Sequence, residues 1–165
     1  LTGSLKNENG LKIIPNIIKK IKEHKGIIIA TKDTHFKKTE GDNINYDDTL
    51  EGKLLPVHHC IKNSKGWEIE NEIKEELKKH KNYYEIEKKT FGWDGWKDYL
   101  KKFEFDEIEL CGVVASICVV ANSIILRSIY PNLKIVVDSK AIADINDEGF
   151  KSSINVLRAQ QITVI

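Results

Sequence analysis

Short apolar runs alternate with longer segments of helical spacing along this 165-residue chain. We predict buried strands in the apolar runs at 26–31, 83–86, 107–112, 133–137 and 162–165. We predict helices where apolar residues recur every three or four positions, at 13–24, 68–80, 93–103, 117–129 and 147–159. Strands that alternate with helices form parallel sheets covered on both faces. The pattern therefore predicts an α/β fold, a three-layer α/β/α sandwich around a mainly parallel, Rossmann-like sheet.

Length and composition favour one globular domain over residues 1–165, with a polar surface insertion at about 37–48. The 26 basic and 25 acidic residues give a net charge of +1, so we expect no nucleic-acid partner. The apolar runs are too short to cross a bilayer, so we expect no membrane interaction. Three cysteines, without a C-x-x-C pair or a signal peptide, favour the reducing cytoplasm.

Polar residues follow three of the predicted strands, where ligands bind in sheets of this kind. Asp33 and His35 follow the first strand, Lys88 follows the second, and the turn Gly112–Cys118 follows the third. Because the carboxyl ends of parallel strands share one edge of a sheet, we expect these three segments to converge there.

Two histidine-containing segments are candidates for metal binding. Asp33 and His35, two residues apart in an extended chain, can point the same way, and a second segment contains the pair His58 and His59. Carboxylate and imidazole groups suit Zn, Mn or Fe. Spacing alone does not favour a metal, because Asp-x-His arises by chance and a His-His pair is often an ordinary loop.

Cys118 lies in the first turn of a predicted helix, where the helix dipole favours a thiolate. Backbone N–H groups at such a helix start can form an oxyanion hole. A lysine after a strand end, as at Lys88, can hold a neighbouring cysteine as thiolate. A small buried cysteine and a solvated lysine are the alternatives for each residue alone. Together the features suggest acyl transfer through a thioester.

Five segments, in order, resemble the isochorismatase-like cysteine hydrolases, and within them the nicotinamidase/pyrazinamidase group. The matching segments are Thr2–Leu5, Ala30–Phe36, Leu55–Ile61 with Gly66–Glu68, Lys88–Gly92 and Gly112–Asn122. Each match is weak alone, but the likeness runs almost from end to end in the family's order.

The resemblance implies a divalent metal, Zn with Mn or Fe as alternatives. Its ligands would be Asp33, His35 and His59, and Glu51 matches a further ligand of some members.

The resemblance also implies the catalytic roles. Cys118 would be the nucleophile and Lys88 the residue that steadies its thiolate. The Val113–Val114 peptide bond would be cis, and the amides of Val114 and Cys118 would form the oxyanion hole.

The activity implied is metal-dependent hydrolysis of nicotinamide to nicotinate and ammonia, and of pyrazinamide-like amides, through a thioester. Leu55 and Phe91 would line the pocket for this small-molecule amide. We expect a homo-oligomer, as family members are often dimers or larger. The alternatives are an isochorismatase-family hydrolase of another small substrate and a non-catalytic binding member.

The chain departs from the family's pattern at several points. The family's catalytic aspartate ends a first, central strand, and this chain begins just after it, so we expect that strand to precede Leu1. The segment Pro56–Cys60 is one residue longer than the family's P-x-H-C; we prefer His59 as the ligand, with His58 as the alternative. Leu55 replaces an aromatic residue, which leaves the identity of the substrate open.

Overall fold

The computed structural model describes residues 3–165, so Thr2 of the N-terminal matching segment lies outside the described residues. The helices are α1 (Glu8–Lys12), α2 (Ile14–Glu23), α3 (Leu50–Leu54), α4 (Asn71–Leu77), α5 (Trp96–Leu100), α6 (Val120–Ile129) and α7 (Asp147–Ala159). The strands are β1 (Ile28–Asp33), β2 (Tyr83–Lys88), β3 (Glu107–Val113), β4 (Lys134–Ala143) and β5 (Thr163–Val164). Short 3₁₀ turns lie at Tyr46–Asp48 and Lys65–Trp67, and a wide π-type turn at Ala115–Val119 leads into α6.

Internal contacts divide the described chain into two compact units. The first unit comprises residues 3–7 and Lys20–Lys89, and the second comprises Glu8–Lys19 and Thr90–Ile165. The prediction of one domain over residues 1–165 stays a prediction.

The first unit contains a two-stranded parallel sheet, β1 beside β2. Ile28 lies opposite Tyr83 at the start, and Asp33 lies opposite Lys88 at the end. The carboxyl ends of both strands therefore present an acid and a base side by side.

The second unit contains a three-stranded parallel sheet in the order β3, β4, β5. The central strand β4 is buried on successive residues at 135–137 and again at 141–143. Burial of both faces is typical of a parallel strand covered by helices. Leu126 of α6 and Leu157 of α7 belong to the same buried core.

The predicted α/β fold with parallel sheets is confirmed, and α7 has the predicted bounds. Asn146 caps α7 by accepting a hydrogen bond from the Gly149 N–H at 2.8 Å, and Asp147 and Glu148 occupy its first turn. The capping residue and the acidic first turn are both helix-start signals that can be recognised in a sequence.

Most other element ends differ from the predicted ones by up to three residues, and three features differ more. The strand predicted to end at Val137 runs on to Ala143, because Ile142 and Ala143 pair with β3 after a register shift. The short helix α3 was not predicted; it begins after Thr49, whose side chain accepts a hydrogen bond from the Gly52 N–H. The predicted surface insertion contains a fully buried side chain, Tyr46.

Over residues 3–165, every helix is too short or too polar to cross a lipid bilayer.

Candidate functional site

Three side chains of the first unit, His35, Glu51 and His59, form what we call the His–Glu–His cluster. Each offers one potential ligand atom, and these atoms lie within 4.8 Å of one another. The Glu51 Oε1 atom is 3.2 Å from His59 Nε2 and 3.5 Å from His35 Nε2. The side chains are only 5% (His35), 18% (Glu51) and 11% (His59) exposed. The cluster is therefore a compact, largely buried set of metal-ligand groups.

Backbone hydrogen bonds tie the two histidine segments together. His35 follows β1, and its N–H donates to the Cys60 carbonyl at 3.0 Å. The Lys62 N–H donates back to the His35 carbonyl at 2.8 Å. Glu51 joins them from the first turn of α3.

The Tyr46 ring supports both imidazoles from one side. Its centroid is 4.7 Å from that of His35 and 5.3 Å from that of His59. The Tyr46 hydroxyl donates to the Leu55 carbonyl at 2.7 Å. The buried tyrosine thus orients the imidazoles while its polar end is satisfied.

The ring nitrogens of the cluster are arranged as a metal ligand set requires. His59 Nδ1 is 2.8 Å from the Val57 carbonyl, so Nδ1 carries a hydrogen, and Nε2 is the ring atom that can bind a metal when the ring is neutral. His35 Nε2 is buried and has no hydrogen-bond partner among residues 3–165. Because buried polar atoms are nearly always hydrogen-bonded, a nitrogen without such a bond, 3.5 Å from Glu51 Oε1, fits the role of a metal ligand. Two imidazoles and a carboxylate are the ligands of many catalytic zinc sites, which keep a further position open.

Electrostatics favour negative charge on the carboxylate of the cluster. Burial raises the pKa of Glu51, but the approach of His35 and His59 outweighs burial and lowers it to about 2. The hydrogen bond to Glu51 raises the pKa of His59, against the opposite effect of burial. A divalent cation can take the place of the proton that these groups share, because metal ligands bind in their deprotonated forms.

Asp33 is not in the cluster. Its carboxylate pairs with the Lys88 ammonium, as the register of β1 and β2 requires. Lys88 is only 3% exposed, so the pair is largely buried. The role of Asp33 as a metal ligand stays a prediction.

The two adjacent histidines differ in their surroundings. His58 Nε2 lies 2.6 Å from Asp47 Oδ1, and both side chains are about half exposed. His59 instead points into the cluster with Glu51. The geometry therefore favours His59 over His58 as the candidate ligand.

Cys118 lies in the second unit, in the wide turn that follows β3. The Val113–Val114 peptide bond is cis, and Gly112 before it has φ +119°, a conformation that favours glycine. The Val114 carbonyl accepts hydrogen bonds from the N–H groups of Ile117 and Val119, both at 3.2 Å. Cys118 forms no disulfide and is partly exposed within this turn.

Sequence reasoning missed two buried residues that contact this turn. The Ser116 N–H donates to Asp144 Oδ2 at 2.6 Å. The Asn122 side chain donates to the Cys118 carbonyl at 2.7 Å. A polar residue in an apolar helical run was a signal for Asn122, whereas Asp144 was concealed because β4 was predicted to end too early.

The predicted pocket residues are both partly exposed, Leu55 in the first unit and Phe91 in the second. Their roles stay predictions.

Residues 2–165 match the model of the Isochorismatase domain. This chain belongs to the isochorismatase domain family. No curated protein sequence is significantly similar to it.

Solved structures share the isochorismatase-domain fold at low identity. A nicotinamidase from Bacillus subtilis has a TM-score of 0.82 at 20% identity, covering 98% of this chain and 89% of that one. A pyrazinamidase/nicotinamidase from Streptococcus mutans UA159 has a TM-score of 0.83 at 24% identity, covering 99% and 91%. The pyrazinamidase of Pyrococcus horikoshii in complex with zinc has a TM-score of 0.76 at 21% identity, covering 99% and 89%. These identities demonstrate the fold alone.

In this isochorismatase-domain protein, replacing Tyr46 by phenylalanine removes one hydrogen bond and keeps the ring beside the imidazoles. Because the Leu55 carbonyl then loses the Tyr46 hydroxyl and keeps only the Val57 N–H as a donor, we expect the free energy of unfolding to fall by about 1 kcal/mol. Urea unfolding measures the change. The same replacement at Tyr84, which is exposed, is the control and is expected to change it little; equal effects at both positions would contradict the role of the Tyr46 hydroxyl.

Asp144→Ala is expected to destabilise the second unit. The Asp144 carboxylate accepts from the N–H groups of Ser116 at 2.6 Å and Ile145 at 2.8 Å. Because the side chain is buried, its loss leaves these donors poorly satisfied and is expected to cost about 2 kcal/mol. Thermal and urea unfolding test this against Asp138→Ala, which removes an exposed hydrogen bond to the Lys140 N–H. Wild-type stability in Asp144→Ala would rule out the role.

Proposed function

We propose that this isochorismatase-domain protein is a metal-dependent amidase that hydrolyses nicotinamide to nicotinate and ammonia. The observation that carries the proposal is the His–Glu–His cluster, whose buried His35 Nε2 atom forms no hydrogen bond among residues 3–165 and lies 3.5 Å from Glu51 Oε1. A hydrolase that works without a metal has no need of such a ligand set. Proteins of the same fold include a nicotinamidase and a pyrazinamidase in complex with zinc.

The proposed metal ligands are His35, Glu51 and His59, with Asp33 as a further candidate. The donor set suits Zn first, and Mn or Fe as alternatives. When bound, such an ion supplies Lewis acidity that orients and polarises an amide.

The proposed nucleophile is Cys118. Its sulfur attacks the amide carbonyl, a C–S bond forms, the C–N bond breaks, and the thiol proton leaves with the nitrogen as ammonia. Water then cleaves the thioester, giving its hydroxyl to the acyl group and a proton to sulfur. The balance is one amide and one water to one acid and one ammonia. The N-terminal end of the helix favours negative charge on Sγ, and the amides of Val114 and Cys118 are the proposed oxyanion donors.

Lys88 is the proposed cation of the catalytic set. Its burial and its pairing with Asp33 support a charged group held in one position, because a buried ammonium needs a fixed counter-charge.

A panel of three amides tests the proposal. We expect the zinc-loaded protein to release ammonia from nicotinamide and pyrazinamide, and much more slowly from benzamide, which lacks a ring nitrogen. A chelator is expected to stop the reaction. Absence of ammonia release from all three amides by protein with bound zinc would overturn the proposal.

Hydrolysis of another small amide is the second candidate. Many nicotinamidases carry an aromatic residue at the position of Leu55. The Leu55 side chain is partly exposed. Release of ammonia from other amides but not from nicotinamide would favour this candidate and leave the metal and cysteine roles intact.

A further inference from the structure

Asn122 is a buried polar residue on α6, one helical turn after Cys118. Its side chain is only 5% exposed. The Nδ2 group donates to the carbonyls of Cys118 at 2.7 Å and Phe91 at 3.0 Å. The Oδ1 atom accepts from the Trp93 N–H at 3.0 Å and the Trp96 indole at 2.8 Å. A carboxamide has two donor hydrogens and two acceptor lone pairs, so Asn122 uses its full capacity.

These bonds connect the turn that carries Cys118 with the segment Phe91–Trp96, which we call the aromatic loop. The loop lies directly against α6: a Cβ atom on Gly92 would be 2.5 Å from Ile125 Cδ1 and 3.5 Å from Ala121 Cβ. One amide therefore holds a nucleophile candidate and a pocket candidate, Phe91, at a fixed separation within the second unit.

An ordinary helical role explains only one of the four bonds. An asparagine in a helix often bonds to the carbonyl four residues earlier, as Asn122 does with Cys118. The three bonds to the aromatic loop lie outside that pattern. Burying an amide is costly unless it is fully paired, and an apolar residue would fill the space without that requirement.

We propose that Asn122 is a positioning residue, which holds the aromatic loop in a fixed position relative to the Cys118 turn. The inference rests on the proposed amidase function for its kinetic consequence. Its structural consequence, control of the Cys118 environment, does not depend on which amide is the substrate.

Asn122→Asp and Trp96→Phe remove different hydrogen bonds of Asn122. The aspartate can still accept hydrogen bonds from the Trp93 N–H and the Trp96 indole but cannot donate to the carbonyls of Cys118 and Phe91. We expect the nicotinamide KM to rise at least about 10-fold and kcat to fall as well. Trp96→Phe removes one donor from the loop and leaves the Cys118 bond, so we expect a higher KM with nearly unchanged kcat. Asn155→Asp, the same change on an exposed surface of α7, is the control.

A second readout does not require amidase activity. The rate at which iodoacetamide alkylates Cys118, resolved from Cys60 and Cys111 by peptide mass, is expected to change at least about 3-fold in Asn122→Asp. Wild-type KM, kcat and alkylation rate in folded Asn122→Asp would overturn the proposal. If Asn122→Asp does not fold, an unchanged KM in Trp96→Phe overturns it. If no amide is hydrolysed by any variant, the proposed function fails, and the alkylation rate alone decides the role of Asn122.

Discussion

Cys118→Ala is expected to lower ammonia release from nicotinamide by about 10³-fold or more, because no other group replaces a covalent nucleophile. The Cys118 thiol lies in the turn between β3 and α6, while the His–Glu–His cluster belongs to the first unit. Metal content and thermal stability are therefore expected to stay close to those of the wild type. The measurements are a coupled ammonia assay, elemental analysis and a melting curve.

Cys111→Ala provides the matched control. Cys111 lies on β3 in the same unit, also forms no disulfide, and is exposed. We expect this variant to keep its activity. Hydrolysis that survives Cys118→Ala, or is lost equally in both variants, would exclude the thioester mechanism.

His59→Ala is expected to weaken zinc binding by at least about 100-fold. Removing a residue that only hydrogen-bonds a metal ligand lowers metal affinity by up to about 100-fold, and removing the ligand itself should lower it at least as much. The cluster would keep His35 and Glu51, and the anionic carboxylate would have one imidazole left beside it. Competition with a chromophoric chelator measures the affinity directly.

His58→Ala is the control beside it. His58 is bound to Asp47 on the surface, so its loss is expected to leave zinc affinity within a few-fold of the wild type. The reverse outcome, with zinc lost from His58→Ala and kept in His59→Ala, would assign the ligand to the other histidine.

The strand ends of the first unit were predictable from local pattern. Apolar runs followed by Asp33 and Lys88 placed both residues at carboxyl ends of parallel strands, and the register of β1 and β2 puts them side by side. Their mutual pairing was not predicted, because periodicity does not specify which strands are neighbours.

The cluster itself was only partly predictable. The segments of His35 and His59 were recognisable from composition and spacing, whereas Glu51 entered only through the resemblance to a family. The choice between His58 and His59 depends on Asp47, which forms a hydrogen bond with His58 from another part of the chain. Such contacts are decided by the tertiary fold, so local sequence left both histidines open.

Buried polar residues were the least predictable part. Tyr46 lies in a stretch whose Gly, Asn and Asp content predicted a surface loop, yet its ring packs on two imidazoles. Asn122 and Asp144 satisfy backbone groups of the Cys118 turn. Their partners lie up to 31 residues away along the chain, so a pattern of apolar and polar residues does not show which groups they bond.

Ammonia release from nicotinamide during a zinc titration of the metal-free protein tests the central claim most directly. We predict no release without metal and a rise that reaches its plateau at one zinc per chain. The His59→Ala protein is expected to show no such rise over the same zinc range. Full activity before any zinc is added, or no activity once one zinc is bound per chain, would contradict a metal-dependent nicotinamidase.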